Sequence, residues 1–291
     1  MNIEDFKKTV LDFYAHSGRS LPWRYNSTAS LDMTPNPWGV LVSEFMLQQT
    51  QIKRVVPYWE RWMMLWPQPA DLAKASLELV LKEWSGLGYN RRAKNLHDCA
   101  AEITKKYNGI VPRLPQQLIT LPGIGPYTAG AVACFAWNIP TVFIETNIRS
   151  VLLHFFFFDK TGVKDTELIP ILQKCLDYNN PRLWYWALMD YGAELKKLTK
   201  NPSQKSAHYT KQSSFIGSMR QIRGVLIKTL STRWPQNAKT LRREVENTIT
   251  TLTDKEYCHA LEVLQKEMMV AEEKGVYRIA GEMLAEKPDL C

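Results

Sequence analysis

Apolar residues recur with the three- to four-residue spacing of a helix along most of the chain, whereas strand-like alternation is missing before residue 270. Proline and glycine interrupt the pattern where helices should end, for example at Pro67–Pro69, Gly86–Gly88 and Pro122–Gly125. The pattern therefore predicts an all-α protein. The predicted helices up to residue 197 cover residues 3–16, 40–65, 71–84, 91–107, 126–138, 146–157, 166–178 and 184–197.

The composition changes near residue 196, because residues 196–214 are polar and basic and predict a loop or linker. The elements predicted beyond it are three helices over 219–231, 238–249 and 254–269 and a hairpin over 270–280. Three helices followed by a hairpin resemble a winged-helix module, which usually places a helix in the DNA major groove but in many proteins makes only protein contacts. We predict a winged-helix-like C-terminal unit over 216–291.

Charge and cysteine content limit the class of protein. Lys and Arg number 37 against 29 Asp and Glu, a net charge of +8, which suits a polyanionic partner such as nucleic acid. No stretch approaches the roughly 18 apolar residues of a membrane span, and the N-terminus lacks a signal-peptide pattern, so we expect no membrane partner and a cytoplasmic protein, nucleoid-associated if bacterial. The five cysteines follow no disulfide or metal-ligand spacing and are expected to be free thiols.

The segment Leu121–Ala129 (LPGIGPYTA) predicts a helix that meets a second helix, starting at Pro126, through a tight turn. Gly123 and Gly125 permit unusual turn dihedrals, and Pro126 is preorganised for helix entry. The free N–H groups and the helix dipole at such a turn can bind a phosphate anion. A simple helix–helix corner would have the same sequence.

Three motifs together resemble one family in order and spacing. They are VSEFMLQQTQ at 42–51, GLGY at 86–89 with RAKNLH at 92–97, and LPGIGPYTA at 121–129. That family is the MutY-type adenine DNA glycosylases, in the helix-hairpin-helix superfamily that includes endonuclease III. The resemblance runs from about Leu21 to Gly192 and implies two helical subdomains flanking a cleft. The implied glycosylase domain covers 1–215, with a subdomain of about 26–129 inserted between 1–25 and 130–215.

Cleavage of an N-glycosidic bond needs a proton for the leaving base and a carboxylate beside the sugar cation. Glu44 lies among apolar residues, where burial would raise its pKa and keep it protonated, and the resemblance implies that it is the general acid. Glu145 occupies the position of the family's catalytic Asp, one methylene longer, at a helix N-terminus whose dipole should keep it ionised. A helix cap without a catalytic role is the alternative for Glu145.

Two neighbours complete the implied catalytic group. Asn147 would position the nucleophile. Tyr127 stands where bifunctional glycosylase/lyases of the superfamily carry Lys, and a phenol cannot form their imine. The resemblance therefore implies a monofunctional enzyme in which water is the nucleophile.

The resemblance also implies DNA-contacting and base-pocket residues. Leu87 and Tyr89 are expected to wedge into the base stack when a base is flipped out, and Gln49 and Thr50 to contact the estranged base and its neighbours. The implied DNA-binding set is Gln49, Thr50, Leu87, Gly88, Tyr89, Gly123, Gly125 and Thr128. The implied base pocket consists of Trp23, Arg24, Trp186 and Asp190.

The chain departs from the family pattern in several places. The segment between Arg24 and Pro37 is longer, and Trp186 replaces a small amide or acid. The shorter winged-helix-like unit stands in place of the Nudix-like domain that reads 8-oxoguanine. The four cysteine ligands of the iron–sulfur cluster are replaced, so we expect no cofactor and no metal. The residues at those positions are Lys196, Ser203, Ser206 and Gln212.

The sequence thus predicts a monomeric, metal-free DNA base-excision repair glycosylase acting on duplex DNA that contains a damaged or mismatched base. The best match for its substrate is adenine opposite 8-oxoguanine or guanine. A mismatch thymine or uracil glycosylase is the alternative within enzymes. A non-catalytic protein that binds DNA damage or structure, or a winged-helix regulator with a vestigial enzyme domain, is the alternative from other classes.

Overall fold

The computed structural model describes residues 2–25, 34–199, 201–211, 214–233 and 235–281. Three features named from the sequence lie outside these residues in part or in full: the extra segment after Arg24, the replaced ligand position Gln212, and Cys291. Within the described ranges, no helix has the length and apolar character needed to cross a membrane.

Helices dominate the described chain, as predicted. In chain order they are α1 (Ile3–Ser17), α2 (Pro37–Leu47), α3 (Ile52–Leu65), α4 (Pro69–Lys74), α5 (Leu77–Trp84), α6 (Arg91–Tyr107), α7 (Pro115–Leu118), α8 (Pro126–Trp137), α9 (Thr146–Phe156), α10 (Asp165–Cys175), α11 (Pro181–Leu198), α12 (Met219–Thr232), α13 (Ala238–Glu246) and α14 (Asp254–Lys266). A 3-10 helix covers Pro202–Lys205, and short strands are β1 (Gln236–Asn237), β2 (Val270–Glu273) and β3 (Val276–Ile279).

Two predicted helices were wrong in length because each is broken near its middle. The segment 40–65 is divided into α2 and α3 at Gln49, whose φ of 56° lies in the left-handed region and ends a right-handed helix. The segment 71–84 is divided into α4 and α5 at Ser76, whose side chain accepts a hydrogen bond from the Leu79 backbone N–H at 3.2 Å. This side-chain cap starts a new helix instead of continuing the old one.

The predicted hairpin is confirmed as β2 and β3, and a third strand lies before residue 270, where the sequence shows no strand-like alternation. The two-residue strand β1 pairs with β3, with Gln236 opposite Tyr277, and completes a sheet of order β1-β3-β2. Two residues are too few to show an alternating pattern. The order of helices and strands after residue 218 is compatible with a winged-helix-like unit, which stays a prediction.

The chain divides into two compact units. The first contains Met1–Glu44 and Pro112–Lys211, and the second contains Phe45–Val111 and Gln212–Cys291. This division differs from the predicted domains, which stay a prediction.

The core of the first unit is built around α8, in which every residue from Thr128 to Ala136 is buried. A helix that is apolar on all sides belongs in a core. Helices α1, α9 and α11 pack together, and the ring of Phe6 meets that of Trp184 edge-on at 5.7 Å. The packing of α9 against α11 positions the N-terminal turn of α9, where two predicted site residues lie.

In the second unit, α4 and α5 pack on α6, and α12 packs on α5 and α14. Trp62 contacts Trp66 and Trp84 edge-on, with ring centroids 4.7 and 5.2 Å apart. The C-terminal segment therefore shares a core with residues 45–111.

Candidate active site

Glu44 lies on α2 and is only 5% exposed, as its apolar neighbours Val42, Phe45 and Met46 predicted. The Tyr127 hydroxyl donates to Glu44 Oε2 at 3.1 Å. Burial raises the pKa of Glu44 to about 7, the Tyr127 hydrogen bond opposes that rise, and the charge of Glu145 adds to it. A carboxyl with this pKa can give up a proton near neutral pH.

Tyr127 is the second residue of α8, directly after Pro126. Burial, followed by the charges of Glu44 and Glu145, raises its pKa well above the usual value. The phenol therefore stays neutral and acts as a hydrogen-bond donor to Glu44.

Glu145 is the N-cap of α9. Its Oε1 accepts from the backbone N–H groups of Asn147 at 2.6 Å and Ile148 at 2.8 Å. These are the donors that a shorter Asp cap would reach, so the longer side chain folds back to make the same contacts. The longer side chain of Glu145 therefore still caps α9.

Several influences besides the helix dipole act on the charge of Glu145. Partial burial raises the pKa of Glu145, and it outweighs the two backbone hydrogen bonds and the charges of Lys196 and Arg149, all of which lower it. The ionised form therefore depends on the donors and cations that surround this carboxylate.

Asn147 links Glu145 to a lysine that we did not predict as a site residue. Asn147 Nδ2 donates to Glu145 Oε2 at 3.2 Å, and Lys196 Nζ donates to Asn147 Oδ1 at 2.9 Å. The only sequence clue to Lys196 was its position at a replaced cysteine. The structure thus brings Glu44, Tyr127, Glu145 and Asn147, the four predicted catalytic residues, into one electrostatically coupled group.

The four predicted base-pocket residues are all buried, and Arg24, Trp186 and Asp190 contact one another. The Arg24 guanidinium lies 5.3 Å from the Trp186 ring centroid and donates to Asp190 Oδ1 and Oδ2 at 2.7 and 2.8 Å. Arg19 also donates to Asp190, through its backbone N–H and Nε. Both carboxylate oxygens of Asp190 therefore accept hydrogen bonds from arginines.

The helix-hairpin turn joins α7 to α8. Gly123 has a φ of 75°, in the left-handed region that favours glycine. Gly125 is the N-cap of α8 without a side-chain cap, and both glycines are exposed. Their backbone can approach an anion, whereas Thr128, the third residue of α8, is buried.

In the second unit, Gln49 is exposed and Tyr89 half-buried, and both adopt left-handed backbone conformations, with φ of 56° and 51°. The Tyr89 hydroxyl accepts from Arg220 Nη1 at 2.7 Å. Leu87, expected to insert into DNA, is 4% exposed, so its side chain belongs to the core in this conformation. Gly88, with a φ of 75°, makes the turn before Tyr89 possible.

Arg92, which we did not predict as a functional residue, connects the segment that contains Gln49 to the turn that contains Tyr89. Its guanidinium donates to Thr50 Oγ1 at 3.0 Å and to the Gly88 carbonyl at 2.9 Å. The carbonyl oxygens of Phe45, Met46, Gln48 and Leu87 also accept from it. Its burial lowers the pKa to about 10, so it remains charged at neutral pH. The only sequence clue to this role was that Arg92 is the first residue of the RAKNLH motif.

The residues at the replaced cluster positions do not fit an iron–sulfur cluster, whose usual ligands are thiolates. Lys196 carries an ammonium that binds Asn147. Ser203 is buried, and its hydroxyl lies 2.6 Å from that of Ser150 on α9. The Ser206 hydroxyl accepts from the His208 backbone N–H at 3.1 Å. Among the described residues, no three His, Cys, Asp or Glu side chains are grouped to hold a metal ion.

The helical fold with its hairpin and carboxyl pair defines the class. Residues 42–175 match the family described as HhH-GPD superfamily base excision DNA repair protein. The fold is similar to that of a thermostable thymine-DNA glycosylase, with a TM-score of 0.58 and 22% identity over 69% of this chain and 90% of that one.

Within that superfamily, the curated relatives that the sequence resembles are named adenine DNA glycosylase. The relative from Mycolicibacterium smegmatis is 47% identical over 143 residues, which cover 49% of this chain and 46% of the relative. The relative from Buchnera aphidicola subsp. Baizongia pistaciae is 35% identical over 202 residues, 68% of this chain and 54% of the relative. The chain spans about half the length of the curated relatives it matches.

Proposed function

We propose that this protein is a monofunctional DNA glycosylase that hydrolyses the N-glycosidic bond of adenine mispaired with 8-oxoguanine or guanine in duplex DNA. The observation that carries the proposal is the coupled group of Glu44, Tyr127 and Glu145, in which Tyr127 donates to Glu44 and the charge of Glu145 raises the pKa of Glu44. One carboxyl is thereby protonated near neutral pH while the other is held by backbone donors.

The two carboxyls match the two needs of glycosidic cleavage. Glu44 donates its proton to the base as the bond to the sugar breaks, so that the base leaves without negative charge. Glu145 stabilises the positive charge that develops on the sugar. Water then adds to the sugar cation with Asn147 beside it, and its proton is taken up by a carboxylate. Tyr127 cannot form an imine with the sugar, so strand cleavage is not part of the reaction.

Two features of the molecule serve DNA binding, one for a phosphate and one for the base stack. The turn at Gly123 and Gly125 binds a phosphate, and Tyr89 wedges into the stack as the base is flipped out. In the proposed reaction the protein acts as a monomer and uses neither an iron–sulfur cluster nor another metal. Adenine is preferred over thymine because the relatives with 35–47% identity carry that name, whereas the thymine glycosylase shares the fold at 22% identity.

A panel of duplexes, each with one A:8-oxoguanine, A:G, T:G or U:G pair, tests the proposal. We expect the full chain to release adenine from the first two, leaving a strand that breaks only after alkali. The Glu44→Gln variant should bind these duplexes and release no base.

Release of thymine or uracil without adenine would replace the proposed substrate with that of a mismatch glycosylase. Tight binding with no base loss from any duplex, unchanged in Glu44→Gln, would replace the enzyme with a DNA-damage-binding protein.

A further inference from the structure

Lys196 lies near the C-terminal end of α11 and is half-buried. Its Nζ donates to Asn147 Oδ1 at 2.9 Å, although nothing in the proposed reaction uses a lysine. The next residue, Lys197, is exposed and pairs with Glu194 at 2.6 Å. The two neighbouring lysines therefore have different surroundings, and only Lys196 is connected to the candidate active site.

The packing of α11 on α9 explains how Lys196 reaches Asn147. Gly192 and Lys196 are four residues apart and so lie on the same face of α11. A Cβ atom at Gly192 would lie 2.4 Å from the carbonyl oxygen of Asn147, so glycine allows the two helices to approach closely. This approach places Lys196, one turn further along, within hydrogen-bond reach of the Asn147 side chain.

Lys196 selects one of the two orientations of the Asn147 amide. An ammonium only donates hydrogen bonds, so the amide oxygen must face Lys196. The amide nitrogen must then face Glu145, where it lies 3.2 Å from Oε2. Without Lys196, only the carboxylate of Glu145 would hold the amide in this orientation, and only while that carboxylate is ionised.

The charges that face Glu145 come from several elements. Arg149, on α9 itself, is bound by Asp165 through two contacts of 2.8 and 2.7 Å. Glu44 on α2 and Tyr127 on α8 interact electrostatically with Glu145. Lys196 is the cation from α11, and its charge, like that of Arg149, lowers the pKa of Glu145 against the effect of burial. Burial in turn lowers the pKa of Lys196 and Glu145 opposes that shift.

We propose that Lys196 is a positioning residue of the active site, which orients the Asn147 amide toward Glu145 and favours the ionised form of that carboxylate. This inference rests on the proposed function. It gives a role to a position where the family resemblance implies a cluster ligand.

The full chain with Lys196→Met, Lys196→Arg or the matched control Lys197→Met tests the inference through single-turnover adenine release over a range of pH. We expect Lys196→Met to lower the rate by about 100-fold, the effect of a misplaced catalytic group. The acid limb of its pH–rate profile should also move to higher pH, because Glu145 then accepts a proton more readily. Lys196→Arg should recover part of the rate and the original limb, and Lys197→Met should match the wild type.

A second measurement does not depend on activity. The carboxyl carbons of 13C-labelled glutamate report the titration of Glu145, whose signal is assigned by its loss in Glu145→Gln. We expect the pKa of Glu145 to be higher in Lys196→Met than in the wild type or Lys197→Met.

Equal Glu145 titrations and equal acid limbs in Lys196→Met and wild type would overturn the inference. So would a Lys196→Met variant whose only defect is weaker DNA binding with a smaller salt dependence, since Lys196 would then be a phosphate contact. If the wild type releases no base but the Glu145 titration still shifts, the proposed function fails while the coupling of Lys196 to Glu145 stands.

Discussion

Glu44 and Glu145 are the same residue type in two different settings. Glu44 projects from the interior of α2, is buried, and receives a hydrogen bond from Tyr127. Glu145 caps α9, where two backbone N–H groups and Asn147 donate to it. The first setting favours the protonated carboxyl, whereas the hydrogen-bond donors of the second favour the ionised carboxylate.

The difference shows that position along a helix, more than residue type, assigns the chemistry. A mid-helix carboxyl has no free backbone N–H groups near it, so burial dominates its pKa. A carboxyl at the N-terminus meets the unpaired N–H groups of the first turn. Burial still raises the pKa of Glu145, which is why its cation neighbours matter for its charge.

The largest difference between the two carboxyls should appear when each is shortened by one methylene. We expect Glu44→Asp to lose about 1000-fold in single-turnover adenine release, close to Glu44→Gln, because the fixed backbone of α2 cannot bring the shorter acid to the base. Glu145→Asp should stay within about tenfold of wild type, because Asp is a preferred N-cap and reaches the same N–H groups.

Glu145→Gln is the matched variant, since the amide retains a capping oxygen but not the charge, and it should be as inactive as Glu44→Gln. A tolerated Glu44→Asp together with an inactive Glu145→Asp would reverse the assignment of the two roles.

Gly192→Ala should disturb the Glu145 setting and leave the Glu44 helix intact. A Cβ there would lie 2.4 Å from the Asn147 carbonyl oxygen and 2.9 Å from its Cβ, so the first turn of α9 must move. We expect about a 100-fold loss of adenine release from this displacement, and a lower melting temperature.

Gly224→Ala in α12 is the control, because nothing lies within 4 Å of a Cβ at that position. It should stabilise the protein by about 0.5–1 kcal/mol, as Ala does in an unhindered helix. Equal stabilisation by both variants would show that the close approach of α11 to α9 is absent in solution.

Most of the fold was predictable because apolar spacing fixes which segments form helices. The errors at Gln49 and Ser76 have a shared cause: a left-handed residue or a side-chain cap breaks a helix without interrupting its apolar pattern. The strand β1 was missed because its two residues are held by pairing with β3, a long-range contact that no local pattern records.

The candidate site was predictable where a residue's chemistry shows in its neighbours, as for Glu44 in its apolar helix. For Asp190, which the resemblance placed in the base pocket, the sequence does not show that Arg19 and Arg24 bind its carboxylate oxygens. Lys196 and Arg92 were missed for the opposite reason, since Lys196 binds the side-chain amide of Asn147, 49 residues away, and Arg92 binds backbone carbonyls that include those of Phe45 and Met46, 47 and 46 residues away. Such partners leave no pattern in a single sequence.

Tyr127→Phe should change the comparison of the two carboxyls by a smaller amount, because it removes the side-chain hydroxyl that donates to Glu44 and leaves Glu145 capped. Wild-type activity should fall as pH rises through about 7, since Glu44 must carry a proton to act. The Tyr127 hydrogen bond lowers that pKa, so its loss should move the alkaline limb upward by up to about one pH unit while the acid limb stays. Tyr127 cannot itself produce a limb near neutrality, because its own pKa is raised well above the usual value.

Single-turnover rates from pH 5 to 9 measure both limbs, and Phe keeps the ring that packs edge-on against Phe143 at 5.7 Å. An alkaline limb that moves downward, or does not move, would mean that the base receives its proton from a group other than Glu44.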